Sequence, residues 1–256
     1  MMIRAWLILA DILVHLFLLI SLILFYTYPL SEQHIAKEDR MAKEVPVNKD
    51  NLIDVSLDER LILLSAKVGD PVFIRIFKEE SLLEVWMRSG AEYQHLKDYF
   101  ICAYSGYLGP KLQEGDRQAP EGFYKVKKYQ LNPNSKFHLS FNLGFPNAYD
   151  RANERTGSFL MIHGNCISDG CYAMTDEKIE EIYTLVEGAL QQGQKYVQVH
   201  AFPFRMTDEI MALYSENEWY DFWVNLQEGY DYFEAEKLPP DVKVNNKQYT
   251  IHEANE

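Results

Sequence analysis

Residues 162–176 read IHGNCISDGCYAMTD. The stretch opens on the end of an apolar run, GSFLMIHG at 157–164, whose composition suits a strand entering a glycine-bounded loop. Ser168-Asp169-Gly170-Cys171 then lead into a segment of different period. Between 175 and 192, Ile179, Ile182, Tyr183, Val186 and Leu190 recur at helical spacing, with Asp176 and Glu177 at the end where the helix dipole favours acids. The reading is strand, loop, cysteine, helix.

That order has a chemical reason. The thiolate is the nucleophile, and a free cysteine with a pKa of about 8.5 needs an imidazole or a helix N-terminus beside it to ionise near neutrality. Cys171 is expected just ahead of the helix, and His163 lies upstream across a loop that can fold back. Gly170 permits close backbone approach, and N–H groups around Ser168, Gly170 and Tyr172 can face a developing oxyanion. A Cys171–His163 acyl-transfer site is therefore coherent. Three alternatives stand beside it. His163, Cys166 and Cys171, with His200, form a plausible zinc set. A Cys166–Cys171 disulfide would block the chemistry. A buried histidine with two packed thiols would mean no site at all. Cys102 is expected to pack in the core.

Further out, PVFIRIF at 71–77 and LLEVWM at 82–87 flank the polar KEES and read as a hairpin. From 99 to 144 short apolar runs alternate with Gly, Pro and Asn turns, and YVQVHAF at 196–202 returns to a strand. Trp219, Phe222, Trp223, Leu226, Tyr230 and Phe233 trace one helical face before Pro239-Pro240. The fold class expected is mainly β with peripheral helices. His138 and His200, in strand-like segments, read as structural; Lys111 and Arg117, in loops, read as solvated or as charge for a substrate groove.

At the other end, AWLILADILVHLFLLISLILFYTY at 5–28 is long enough, at about 1.5 Å per residue, to span a bilayer core of roughly 30 Å. Trp6 and Tyr26/Tyr28 suit the two interfaces, and Tyr26-Thr27-Tyr28-Pro29-Leu30 is a poor signal-peptide cleavage site, so an uncleaved anchor is expected. Asp11 and His15 share a helical face and suit a contact with a partner's membrane helix. The organisation expected is a transmembrane anchor at 1–30, a linker or loose helical segment at 31–70, and a catalytic domain at 71–256. A net charge of −13 without a dense basic run excludes nucleic acid as a partner. No cofactor or metal is called for by the thiol reading.

SGYLGPKLQEGDRQAPEGFY, NPNSKFHLSFNLGFPNAYDR, HGNCISDGCYAMTD and VHAFPFRMTD together resemble the YafK-type branch of the YkuD (L,D-transpeptidase catalytic domain) family. The resemblance implies a β-rich domain with Cys171 as nucleophile and His163 as base, acting on amide bonds of peptidoglycan stem peptides at diaminopimelate. It places the domain in the periplasm on an inner-membrane anchor. Such domains place an arginine soon after the nucleophile, where this chain has Tyr172, Ala173 and Met174. The substrate-contacting residues are then expected to be Arg205 and Gly164. Hydrolysis is the expected outcome, with transpeptidation and a non-enzymatic wall-binding scaffold as alternatives. Anchored relatives suggest wall remodelling around a secretion apparatus such as type VI.

Overall fold

The computed structural model describes residues 56–254. The anchor expected at 1–30, with Asp11 and His15, lies outside them. Among the described residues no helix is long and apolar enough to cross a membrane. Helix α1 (Leu57–Leu63) opens the described chain, its N-terminus closed by the Ser56/Glu59 capping box. It falls in the stretch read as a linker or loose helical segment; Leu61 is buried and Arg60 donates to Leu96 O. The described residues form one compact unit.

The architecture is mainly β with a few helices. One five-stranded sheet has the order β3-β2-β1-β10-β5. Its strands are β1 (Val72–Phe77), β2 (Leu82–Ser89), β3 (Glu92–Phe100), β5 (Gly122–Val126) and β10 (Val197–Phe202). The hairpin read at 71–87 is β1 and β2, antiparallel with Phe77 opposite Leu82. Strand β1 is buried at every position, which explains its unbroken apolar run. Val72, Ile74 and Ile76 face one core. On the other side Arg75 lies under the rings of Phe77, Trp86, Tyr230 and Phe233 and is ion-paired to Glu84 and Glu234.

The second five-stranded sheet, β4-β9-β8-β7-β6, carries the site. It comprises β4 (Ala103–Tyr104), β6 (Leu131–Ser135), β7 (His138–Asn142), β8 (Met161–His163) and β9 (Tyr172–Ala173). The main core lies among the two sheets and α3 (Asp176–Gln191), capped by Thr175. Helix α2 (Ala148–Ala152) and α4 (Asp208–Leu213) are short. A second core gathers the aromatic stripe of α5 (Tyr220–Glu236), with Phe222, Trp223, Leu226, Tyr230 and Phe233 buried as the period predicts. A hairpin of β11 (Asp241–Asn245) and β12 (Gln248–His252) closes it, turning at Asn246-Lys247.

Two local expectations are corrected. The strand read at 157–164 begins only at Met161, because Phe159 sits at φ +55 and breaks the extended run. Cys171 does not abut the helix either: strand β9 intervenes, and α3 starts at Asp176. The helix dipole therefore does not act on the thiol, since that effect fades within the first turn.

Candidate active site

Parallel strands β8 and β9 place the two central residues. Ile162 pairs with Tyr172 and His163 with Ala173, so Met161 stands opposite Cys171. Its N–H donates to Cys171 Sγ at 3.4 Å. Paired residues of a parallel ladder share a face and successive residues alternate. Ile162 and Tyr172 point into the core at 0% exposure, so Met161, His163, Cys171 and Ala173 share the other face. His163 on β8 and Cys171, the residue immediately before β9, are thus diagonal neighbours. A strand separation of about 4.8 Å and a rise of about 3.3 Å per residue put their Cα atoms roughly 8 Å apart.

Each side chain is held by a backbone carbonyl. His163 Nδ1 lies 2.5 Å from Gly164 O. A carbonyl only accepts, so Nδ1 carries the proton and Nε2 of the neutral ring keeps its lone pair. The ring stacks on Phe137, and burial lowers its pKa. Cys171 is half-buried, and its Sγ donates to Phe159 O at 3.7 Å, a carbonyl presented by the left-handed Phe159. Burial raises the thiol's pKa and Asp169 raises it further, against the Met161 N–H and Lys111. No hydrogen bond joins the two side chains. Burial thus favours the neutral form of both groups.

The sulfur is free because the other two cysteines pair with each other. Cys102 and Cys166 form a disulfide across a separation of 64 residues. Cys102, expected in the core, is exposed, and both alternatives that required Cys166 beside Cys171 are removed. Cys166 sulfur is not available to zinc, and it does not cap the nucleophile. His200 lies in the other sheet among Phe73, Phe123 and Phe202. One cluster of the described residues has metal-ligand proximity, Glu84, His95 and Asp98, but Glu84 is already shared by Arg75 and Arg205. Replacing Cys102 and Cys166 together with serine is expected to lower stability by about 2–4 kcal/mol, mainly by freeing the unfolded chain. Urea denaturation checks this, and an unchanged midpoint would contradict it.

Several anticipated site residues have other partners. Gly170 N–H donates to Ser105 Oγ at 2.5 Å, so it is not idle for an oxyanion. Ser168 Oγ donates to Cys171 O at 2.6 Å and braces the nucleophile's backbone. Tyr172 is in the ladder, its hydroxyl donating to Pro120 O. Gly164 is buried, and a Cβ there would meet Asp176 Oδ1 at 2.6 Å and Phe137 O at 2.8 Å, so no side chain fits at this position. Arg205 donates to Glu84 Oε1 at 2.6 Å and stacks on Phe77, in the first sheet, and no contact brings it to Cys171. His138 pairs with exposed Glu180.

Sequence reasoning did not anticipate what holds the site's wall. Residues 105–121 run as a strap from β4 to β5 past Gly170. Both of its ends converge on Lys78 from the β1–β2 turn, wholly buried, whose ammonium donates to Tyr107 O, Gly109 O, Ala119 O and Glu121 Oε1. Glu121 in turn accepts from Gly109 N–H and Trp223 Nε1. A lysine in a polar turn gives no sequence signal of burial. Ser140 was also missed: its buried hydroxyl has no partner, and it stands opposite His163 across β7 and β8.

Comparison with known proteins follows the same lines. The model of the YkuD L,D-transpeptidase catalytic domain matches residues 71–191. YafK of Escherichia coli (strain K12), which carries a provisional L,D-transpeptidase name, is 52% identical over 184 residues, covering 72% of this chain and 75% of that protein. Among solved structures, a K307A mutant of the helical cell shape determining protein Pgp2 from Campylobacter jejuni matches with TM-score 0.44 and 19% identity, over 68% of this chain and 61% of that one. L,D-transpeptidase 1 of Mycobacterium tuberculosis matches with TM-score 0.30 and 11% identity, over 52% and 62%.

Proposed function

The chain belongs to the YkuD family of L,D-transpeptidase catalytic domains, and on that premise we propose that it is a thiol enzyme that cuts amide bonds at diaminopimelate in peptidoglycan stem peptides. The observation that carries this reading is the free Cys171 on the same sheet face as His163, whose Nε2 is left unprotonated by the Gly164 contact.

Cys171 Sγ attacks the amide carbonyl carbon while its proton passes to His163 Nε2. The carbonyl oxygen becomes an oxyanion, whose stabilisation we assign to the Cys171 N–H because Gly170 N–H is given to Ser105. Collapse breaks the C–N bond, and His163 returns the proton to the departing amine. Water, deprotonated by Nε2, then attacks the thioester, freeing a carboxylic acid and the thiol. A peptide amine in place of water would make the same site a transpeptidase. We favour water because a tethered enzyme cuts locally. The disulfide suits an oxidising compartment, hence the periplasm. The apolar segment at 5–28 would supply the inner-membrane anchor. Its Asp11 and His15 would meet a membrane partner such as a type VI secretion component.

Incubating the full chain with muropeptides and weighing the products tests the reading. Fragments whose masses sum to substrate plus one water support hydrolysis. An amine-exchanged product assigns transpeptidation, and unchanged muropeptides with retained binding assign a scaffold.

The burial of both groups makes a pH prediction. Activity needs one proton shared between Cys171 and His163. Burial lowers the histidine's pKa, so the acid limb of kcat/KM should fall below the ordinary imidazole value of about 6.5. Burial raises the thiol's pKa, so the alkaline limb should lie above the ordinary thiol value of about 8.5. Iodoacetamide alkylation of Cys171 should accelerate only on that alkaline side. Fast alkylation already at pH 6 would reveal a preformed thiolate–imidazolium pair instead.

A further inference from the structure

Among the cations named so far, commitment is unequal. Lys111 is 3% exposed and gives its ammonium to Asp116 Oδ1 at 2.5 Å and to Gln113 O. Lys78 is wholly buried against Glu121, and Arg205 is held by Glu84. Arg117, on the strap, differs from all of them. Its side chain is 79% exposed and makes one loose ion pair, Nε to Asp169 Oδ1 at 3.5 Å. Asp169 is itself 73% exposed and stands two residues before the nucleophile.

The backbone under Arg117 is fixed on both sides. Asp116 accepts from the N–H groups of Leu112, Gln113 and Gln118. The Gln118 side chain bonds Tyr107 N–H, Tyr107 O and Gly109 O. Between them Arg117 takes φ +55, a conformation that residues other than glycine adopt when their surroundings impose it. A rigid strap thus presents a solvated guanidinium beside the nucleophile's own loop.

We propose that Arg117 is the anchor for a substrate carboxylate, with Asp169 holding its place until substrate arrives. A guanidinium takes a carboxylate through two parallel N–H···O bonds, a better fit than the single loose contact to Asp169. Exposed ion pairs are weak, so exchanging one carboxylate for another costs little. The proposal rests on the stem-peptide reading above, since those peptides carry free carboxylates close to the bonds at diaminopimelate. It also answers a local absence: the positions after the nucleophile hold Tyr172, Ala173 and Met174, all at 0% exposure, and supply no cation.

The test uses the full chain, a disaccharide tetrapeptide with free carboxylates, and the same peptide with its carboxylates amidated. Arg117→Gln should raise KM for the free acid about tenfold or more while kcat stays within twofold. Arg117→Lys should recover part of the loss, and on the amidated peptide wild type and variant should coincide. Calorimetric binding to Cys171→Ala, with and without Arg117→Gln, repeats the comparison without turnover. Affinity lost only for the free acid supports the anchor even if wild type yields no product, an outcome that would overturn the hydrolase reading alone. An unchanged KM and affinity for the free acid, or an equal loss on both peptides, would overturn the anchor and leave the reaction standing.

Discussion

Cys171→Ala in the full chain is expected to lower muropeptide turnover by about 10⁴- to 10⁶-fold, with no thioester trapped at any time. The magnitude follows from the division of labour. The sulfur makes the only covalent bond to substrate, and what remains without it is orientation and oxyanion stabilisation. His163→Gln should lose about as much, because an uncharged thiol with a raised pKa does not reach its thiolate near neutrality without a base. The double variant should be no worse than either single one, since the two act as a unit. Stability should change little in Cys171→Ala: the half-buried sulfur makes two weak hydrogen bonds, to Met161 N–H and Phe159 O. Turnover within tenfold of wild type would remove Cys171 from the chemistry whatever the fold suggests.

That expectation was partly legible in the chain, and the reasons are specific. Helix α3 and the stripe of α5 announced themselves because a 3.6-residue period sustained over four turns has few rival explanations. The β1–β2 hairpin was legible from two β-branched runs around a polar turn. Strand β9 was not, because two residues carry no period, and without it the pattern puts Cys171 at a helix start. The consequence is chemical: no helix dipole offsets the burial that raises the thiol's pKa. Phe159 at φ +55 has no sequence signal, since nothing in a phenylalanine announces a left-handed backbone. The Asn246-Lys247 turn, left-handed at both positions, lacks the Asn-Gly signature that would have given it away. Three cysteines allow three pairings, and only the fold brings Cys102 to Cys166. Arg205 is a reasonable cation to expect at the site, but Glu84 lies four residues after Glu80 of the β1–β2 turn, and the two acids hold Arg205's guanidinium and backbone N–H respectively.

Lys78→Met should destabilise the folded unit by about 3–5 kcal/mol, lowering its melting temperature by on the order of 10 °C. The side chain volumes are close, so little of the loss is packing. What changes is that Glu121, 0% exposed, loses its cation, and the carbonyls of Tyr107, Gly109 and Ala119 lose a donor. Buried groups left without partners cost more than the original bonds contributed. Glu121 keeps Gly109 N–H and Trp223 Nε1, which softens the loss without cancelling it. Adding Glu121→Gln to Lys78→Met should recover part of the stability, because the uncompensated charge is then gone. Activity should fall beyond the loss of folded protein, with KM rising more than kcat drops, because the strap wall loses its tie to β1 while the Cys171–His163 strands stay paired. A denaturation midpoint within error of wild type would mean that water reaches Glu121 in the variant, and the strap would then need another account of its position.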